Sequence, residues 1–339
     1  MAKKVAINGF GRIGRLTFRQ LFEKGVDIVA VNDLTDTKTL AYLLEFDSAQ
    51  GKFHEGEISY TENSIIVSGK EIKIFAERNA KDLPWGELNI DLVVESTGFY
   101  VSKEASQAHI EAGAKKVVIS APAKGDLKTV VFGVNHKELT AEDTIISGAS
   151  CTTNCLAPMA KILDENFTIK TGLMTTVHAV TNDQKLLDLP HADLRRGRAA
   201  AWNIIPSTTG AAVAVSLVLP QLAGKLDGAA LRVPTITGSI TDLTVEFEKT
   251  GLSVELINST MKNAIEADAD LKQAIKYCDQ PIVSGDTIGS SFGSIFDATL
   301  TKVITKADGT QMVKVNSWYD NESSYVSQLV RTTMYFMGL

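Results

Sequence analysis

The run Gly9-Phe10-Gly11-Arg12-Ile13-Gly14, directly after the apolar stretch Val5-Ala6-Ile7, constrains this chain's fold more than any other feature. In a G-x-G-x-x-G turn the first glycine permits the tight bend and the second lets a pyrophosphate approach the backbone. The third lets the following helix pack closely on the strand. The segment Arg15 to Phe22 has the composition of that helix, whose free N–H groups and partial positive charge then face the phosphates. Glycine turns are common, so the motif alone is weak. Here an apolar strand precedes it, a helix follows it, and Asp33 closes the next apolar run, Ile28-Val29-Ala30-Val31, about 20 residues on. An aspartate at that position accepts hydrogen bonds from ribose hydroxyls and repels a 2′-phosphate. The alternative is a plain strand–helix turn with a solvated Asp.

Further short apolar runs, Leu92-Val93-Val94, Val117-Val118-Ile119 and Thr144-Ile145-Ile146, recur as far as about Ser150. Continuous apolar runs bounded by turns suit strands buried on both faces of a parallel sheet. Lys103 to Ala114 reads as a helix between two of them, ending near Gly113. Strand, helix, strand, repeated, is a doubly wound α/β pattern. Beyond Ser150 the texture changes. Leu243, Val245 and Phe247 alternate with Thr244, Glu246 and Glu248, the period of a half-exposed antiparallel strand. Met312 to Tyr319 also has strand composition, Val254 to Ala267 reads as an amphipathic helix, and Ser323 to Phe336 carries apolar residues at helical spacing. The expected organisation is an α/β chain with a Rossmann-type domain over residues 1–150 and an α+β domain with a mostly antiparallel sheet over 151–321. A final helix, 322–339, packs back on the first domain.

Bulk properties narrow the function. At 339 residues the chain has room for two domains, and its net charge of −6 argues against nucleic acid or an anionic membrane as the main partner. No apolar segment reaches the roughly 18 residues that a membrane span needs. Three cysteines, Cys151, Cys155 and Cys278, do not make a disulfide framework, and a reducing, cytoplasmic location is the simplest expectation.

One of those cysteines carries a chemical signal. Ser150-Cys151-Thr152-Thr153-Asn154-Cys155 follows an apolar run and opens a helical stretch through Pro158 to Ile162. A thiol at a helix N-terminus is expected to have a lowered pKa, since the dipole and free N–H groups favour thiolate. The run Met174-Thr175-Thr176-Val177-His178 ends a second strand on a histidine, and a Cys–His pair makes a good nucleophile near neutral pH. Cys155, one turn further on, and Cys278 read as packing residues. Metal ligation needs more ligands than this pattern offers. His54, His109, His136 and His191 read as surface or structural.

Together, Asn8-Gly9-Phe10-Gly11-Arg12-Ile13-Gly14-Arg15, the Ser150–Cys155 run and Trp318-Tyr319-Asp320-Asn321-Glu322 resemble the phosphorylating glyceraldehyde-3-phosphate dehydrogenase family, in order and spacing along essentially the whole chain. The resemblance implies NAD as cofactor, glyceraldehyde 3-phosphate and inorganic phosphate as substrates, and a homotetramer. It implies Cys151 as the nucleophile that forms a thiohemiacetal and then a thioester, with His178 as base. Thr181 and Arg232 match the site for the substrate's phosphate. Ser150, Thr152, Thr209 and Gly210 match the site for the attacking phosphate, and Thr209-Gly210 leads into a helical run from Ala211 to Leu219. Gly9, Gly11, Arg12, Ile13, Gly14, Asp33, Arg78, Ser120, Asn321 and Tyr325 match cofactor contacts, and Leu189-Pro190 agrees with NAD over NADP. The basic run Arg195-Arg196-Gly197-Arg198 falls in a loop near the phosphate sites and a subunit interface.

Two positions depart from the family pattern: Ser324 stands where glycine is common, and Ile236 where proline is common. Two other functions stay open at this point. One is a sibling enzyme such as erythrose-4-phosphate dehydrogenase. The other is a non-catalytic role in adhesion or RNA binding, for which the sequence has no basic stripe.

Overall fold

The computed structural model describes residues 3–339. They divide into two compact units. The first runs through Val130 and includes His136–Ala149 and Leu329–Leu339; the second comprises Val131–Asn135 and Ser150–Gln328.

In the first unit, β1 (Lys4–Asn8) leads through the glycine turn into α1 (Arg12–Glu23), and β2 (Asp27–Asn32) is followed by α2 (Thr37–Glu45). Three short strands come next, β3 (Ile58–Tyr60), β4 (Ser64–Val67) and β5 (Lys70–Phe75). After the single turn of α3 (Trp85–Leu88) come β6 (Leu92–Glu95), α4 (Lys103–Glu111), β7 (Lys116–Ile119) and β8 (Ile145–Ser147). The eight strands form one sheet in the order β3-β4-β5-β2-β1-β6-β7-β8. It is parallel from β5 to β8 and antiparallel at the β3-β4-β5 edge. Every residue of β6 is buried and Val5 to Asn8 of β1 are too, as the uninterrupted apolar runs require of a sheet covered on both faces. The order reverses direction at β1, the switch point where open α/β sheets bind ligands beyond the strand C-termini.

Close backbone approaches hold the turn at that point. Gly9 has φ of +90°, and a Cβ on Gly14 would lie 2.0 Å from the Gly9 carbonyl oxygen. The third glycine of the motif is therefore required by contact between α1 and the turn.

The second unit starts with α5 (Cys151–Phe167), runs through β9 (Ile169–His178) and β10 (Ile205–Thr208), and continues with α6 (Ala211–Ala214), β11 (Leu226–Arg232) and β12 (Ser239–Phe247). Then follow α7 (Val254–Ala267), α8 (Leu271–Ala274), β13 (Ile275–Cys278), β14 (Ser294–Asp297), β15 (Lys302–Thr305) and β16 (Gln311–Tyr319); α9 (Ser323–Gly338) begins in this unit and its residues from Leu329 on belong to the first. The sheet order is β10-β11-β9-β12-β16-β14-β13, with β15 also on β16. Most pairs are antiparallel; β11 with β9 and β13 with β14 are parallel. In β12 buried and half-buried residues alternate without exception, so Leu243, Val245 and Phe247 share the inner face. The α5 helix packs on the sheet, burying Cys155, Leu156, Met159, Ile162 and Leu163 among others. Each such aliphatic side chain contributes about 1.5–3 kcal/mol. The run from Ala211 is shorter than its composition predicts: after Ala214 it tightens to a 3₁₀ turn over Val215–Leu217, and a second such turn begins at Pro220. Proline lacks the N–H that a continuing helix needs.

Candidate active site

The N-terminus of α5 is built by Ser150, whose Oγ accepts the Thr153 N–H at 3.0 Å as N-cap. Cys151 is consequently the first helical residue, half-buried, with Sγ 3.4 Å from Nε2 of His178. His178 ends β9, where it is the ladder partner of Arg232 at the end of β11. The parallel register thus sets the imidazole and the guanidinium side by side. Arg232 Nη1 lies 2.5 Å from His178 Nδ1 and 3.1 Å from the Ala179 carbonyl oxygen, which is itself 2.7 Å from Nδ1. Arg232 Nε is buried and has no hydrogen-bond partner among the described residues.

Behind the thiol, a buried hydroxyl chain runs from Thr152 Oγ1 to Tyr319 Oη at 2.9 Å and on to Thr176 Oγ1 at 2.7 Å. The Tyr319 ring also meets the His178 ring edge-on, centroids 5.9 Å apart. Burial drives His178 down to about 3, helped by the Arg232 cation and opposed by the Ala179 hydrogen bond. The ring is therefore neutral near pH 7. Cys151 differs from the sequence expectation. Burial pushes its thiol up, outweighing the Arg232 cation and the Thr152 hydroxyl, which pull it down. The resting pair is a neutral thiol facing a neutral base. Cys155 points elsewhere: fully buried, its Sγ approaches the Ser317 carbonyl at 3.6 Å and Ser294 Oγ at 3.8 Å, and burial raises it to about 12.

Beyond Arg232, Thr181 Oγ1 donates to Asp183, and its N–H donates to Gln184 Oε1 at 3.1 Å. Asp183 accepts at 2.8 Å from Arg196, whose Nε and Nη2 also donate to Ser207 Oγ at 2.9 and 2.7 Å. Arg196 is a polar side chain of this site that composition left undistinguished within its basic run. The signal was the Ser207 hydroxyl, only visible once β10 sits beside β11. Thr209 Oγ1 accepts the Ala211 N–H at 3.2 Å, and Gly210 caps α6, which packs against α5 and β11. Asn321 Oδ1 is held by Gly238 N–H at 3.2 Å and Ser239 Oγ at 3.0 Å, and Tyr325 is buried. Ser324 fills its position with hydrogen bonds, accepting from Asp320 N–H at 3.0 Å and donating to the Ser290 carbonyl at 3.3 Å. Ile236 is exposed.

In the first unit, Gly11 is the N-cap of α1 and makes no side-chain cap hydrogen bond, and nothing lies within 4 Å of a Cβ added at Gly11. Asp33 lies just past β2, its Oδ2 accepting the Phe10 N–H at 2.7 Å and its Oδ1 the Thr35 N–H at 3.0 Å. Arg12 pairs with Asp47, Ile13 is half-buried, and Arg78 is exposed with its carbonyl accepting from Tyr100 Oη at 3.2 Å. Ser120 N–H donates to the Glu95 carbonyl at 2.8 Å. Ser96 Oγ, next to Gly9, is buried without a hydrogen-bond partner among the described residues. An uncapped helix N-terminus, an open second glycine and an orphaned hydroxyl fit a dinucleotide's phosphates. The sequence did not single out Leu34 and Phe99, which are 54% and 84% exposed on the loops after β2 and β6, either side of the β1 turn.

Residues 3–103 match the family described as "Glyceraldehyde 3-phosphate dehydrogenase, NAD binding domain", and residues 150–321 match "Glyceraldehyde 3-phosphate dehydrogenase, C-terminal domain". The chain belongs to the glyceraldehyde-3-phosphate dehydrogenase family. It is 58% identical over 336 residues to the glyceraldehyde-3-phosphate dehydrogenase of Clostridium acetobutylicum, covering 98% of each chain. Against the enzyme of the same name from Clostridium pasteurianum the identity is 57%, with the same coverage. Among the described residues of this family member, no cluster of His, Cys, Asp and Glu could hold a metal ion, and no helix is long and apolar enough to cross a membrane.

Proposed function

We propose that this chain oxidises D-glyceraldehyde 3-phosphate to 1,3-bisphosphoglycerate with NAD and inorganic phosphate, as a step of glycolysis, through a thiohemiacetal and a thioester on Cys151. The observation that carries this reading is the Cys151 Sγ–His178 Nε2 approach of 3.4 Å at the start of α5, with Arg232 against the same imidazole.

In the tautomer whose Nδ1–H donates to the Ala179 carbonyl, Nε2 of His178 is the free base, and it takes the thiol proton as the sulfur adds to the aldehyde carbon, a contribution of about 10²–10⁴ in rate for a positioned base. The new alkoxide lies against the Cys151 backbone N–H and the now protonated Nε2; one such donor is worth roughly 3 kcal/mol. Arg232 and the buried surroundings disfavour a lasting imidazolium, so the proton is readily passed on. Bound NAD supplies the two-electron acceptor that turns the thiohemiacetal into the thioester. Inorganic phosphate then attacks the thioester carbonyl, the Cys151 sulfur leaves, and the oxidation energy is kept in an acyl phosphate.

Arg232, with its unused Nε, and Thr181 bind the phosphate of the substrate in this reading. Ser150, Thr152, Thr209 and Gly210 bind the attacking phosphate, with Arg196 lending its charge. On the first unit, Gly9, Gly11, Arg12, Ile13 and Gly14 cradle the pyrophosphate, Asp33 the ribose, and Arg78 and Ser120 the remainder of the cofactor. Leu34 and Phe99 form an apolar clamp for a planar base. Asn321, its Oδ1 already engaged, offers its amide protons to a carboxamide, and Tyr325 lies beside the nicotinamide. Residence in the cytoplasm and assembly as a homotetramer belong to the same reading. Exposed Leu187, Leu194, Trp202 and Ile204 supply apolar area that association would cover.

The test is a rapid-mixing assay of NAD reduction. Without phosphate, wild type gives a burst of one equivalent per active Cys151 and stalls; phosphate restores turnover, and Cys151→Ser gives neither. Phosphate-independent turnover favouring erythrose 4-phosphate over the triose would overturn the assignment.

A further inference from the structure

A chain of buried side-chain hydrogen bonds crosses the nucleotide-binding edge of the first sheet. Asn32, at the end of β2, donates from Nδ2 to the Glu77 carbonyl at 2.9 Å and accepts the Glu77 N–H on Oδ1 at 2.8 Å, which ties down the segment after β5. The same Nδ2 donates to Asn8 Oδ1 at 2.7 Å, and Asn8 Nδ2 donates to Glu95 Oε2 at 2.6 Å. Strands β5, β2, β1 and β6 are neighbours in that order. Their C-terminal ends are thus linked by side chains as well as by the ladder.

Glu95 is the hub. Its side chain is fully buried, and Oε1 accepts from Thr97 N–H at 2.7 Å and from Thr97 Oγ1. Oε2 accepts from Asn8 and, at 3.0 Å, from His109 Nε2. The histidine is held in turn: Trp85 Nε1 donates to its Nδ1 at 3.1 Å. Indole N–H only donates, so Nδ1 accepts and the ring proton sits on Nε2, aimed at Glu95. Trp85 reaches that position because Gly113, at φ +103°, meets Gly86 so closely that a Cβ would lie 2.4 Å from the Gly86 Cα. Thr97 N, which Glu95 fixes, stands against Gly9, where a Cβ would meet it at 2.7 Å.

We propose that Glu95 and His109 are positioning residues for the cofactor: they hold the turns at Gly9, Asp33, Glu77 and Thr97 in binding-ready geometry before the dinucleotide arrives. None of the network's side chains needs to touch the ligand. A pre-ordered edge spares the cofactor the cost of ordering those loops on binding. The inference rests on the reading of the first unit as the NAD site, and a wild-type titration with NAD checks that reading separately.

The decisive variant is Glu95→Gln, which replaces one of the two acceptor oxygens with an amide NH₂ that faces N–H and O–H donors. Its NAD dissociation constant, from quenching of intrinsic fluorescence, is expected to rise about tenfold or more. Turnover at saturating NAD and the rate of Cys151 alkylation without NAD stay near wild type. Nitrogen-edited NMR of labelled His109 in the NAD-free protein is expected to show the proton on Nε2 alone. If Glu95→Gln does not fold, Thr97→Val removes one donor, keeps the shape, and is expected to weaken NAD about threefold. A folded variant with wild-type NAD affinity, or a His109 proton on Nδ1, overturns the proposal. Wild type that fails to bind NAD overturns instead the reading beneath it.

Discussion

Arg232 Nη1 stands 2.5 Å from His178 Nδ1, so the base that faces Cys151 has a permanent cation on its other nitrogen. The ladder pairing of β11 with β9 enforces this, since Arg232 and His178 are register partners. The cation discourages imidazolium and favours thiolate at the same time. The pair is therefore tuned as a unit, and shifts in one are reported by the other.

The sign of the resulting pH dependence follows from the depressed histidine. His178 titrates at about 3 in the folded chain and at 6.5 when unfolded, so between these values the unfolded state binds more protons. Its contribution to stability is full above pH 6.5 and is lost as pH falls towards 3. His178→Asn, which cannot take up that proton, is expected to resist acid better, with its unfolding midpoint at lower pH by circular dichroism. Arg232→Leu is expected to move the two groups in the same direction: the imidazole signal rises towards the ordinary range, and the Cys151 alkylation profile shifts to higher pH. An unmoved alkylation profile would show that the cation does not act on the thiol.

Cys155 is expected to be silent in the native chain. Buried and held up to about 12, it offers almost no thiolate at pH 8, whereas Cys151 is half-buried with a base beside it. Iodoacetamide with mass mapping should label Cys151 alone until denaturant is added. Cys155→Ala should keep turnover and lose about 1–2 kcal/mol of stability in urea. Labelling of Cys155 at a rate like that of Cys151 would contradict the burial argument.

Much of this was legible in the sequence where local chemistry decides the outcome. Continuous apolar runs gave the parallel strands, the β12 alternation gave a one-faced strand, and Ser150 before Cys151 gave the helix start. The β3–β5 edge, Ile58 to Phe75, carried no reading, because short strands at a sheet margin have weak periodicity. The direction of the Cys151 shift is not legible in the sequence for a different reason. The helix terminus is local and visible in sequence, while the burial that outweighs it comes from the folded surroundings. Within the basic run near the phosphate sites Arg196 is not distinguishable in the sequence, and His109 reads there as surface or structural, because their partners, Ser207 with Asp183 and Glu95 with Trp85, come from other segments.

His54 gives the opposite linkage. Partial burial lowers its pKa, but hydrogen bonds to Glu23 at 2.8 Å and Glu57 at 3.2 Å raise it more, and the net shift is upward from 6.5. The folded state then holds its proton more tightly. The contribution is complete below pH 6.5 and fades as pH rises through the raised folded value. Thermal melts of wild type and His54→Gln should differ most near pH 5.5 and converge by about pH 9. A difference constant across that range would mean that His54 acts by packing on Phe22 and Phe53 rather than by charge.

Gly11 and Gly14 lie in one motif yet should fail differently. At Gly14 an added Cβ would sit 2.0 Å from the Gly9 carbonyl oxygen and 3.5 Å from an Ile7 side-chain carbon, inside the packed turn. Gly14→Ala therefore forces α1 away from β1, and we expect loss of several kcal/mol, or no folded protein. At Gly11 the backbone is extended, with φ of −67° and ψ of −162°, and nothing lies within 4 Å of the added Cβ. Gly11→Ala should stay folded, at a cost of about 0.5–1 kcal/mol for the poorer N-cap. The space it fills is the approach to the N–H groups of α1, so NAD affinity should fall about tenfold or more while Cys151 alkylation without NAD is unchanged. Equal stability losses in the two variants would mean that the motif serves the strand–helix turn alone; a stable Gly11→Ala with weakened NAD binding separates the glycine that packs the fold from the one that admits the ligand.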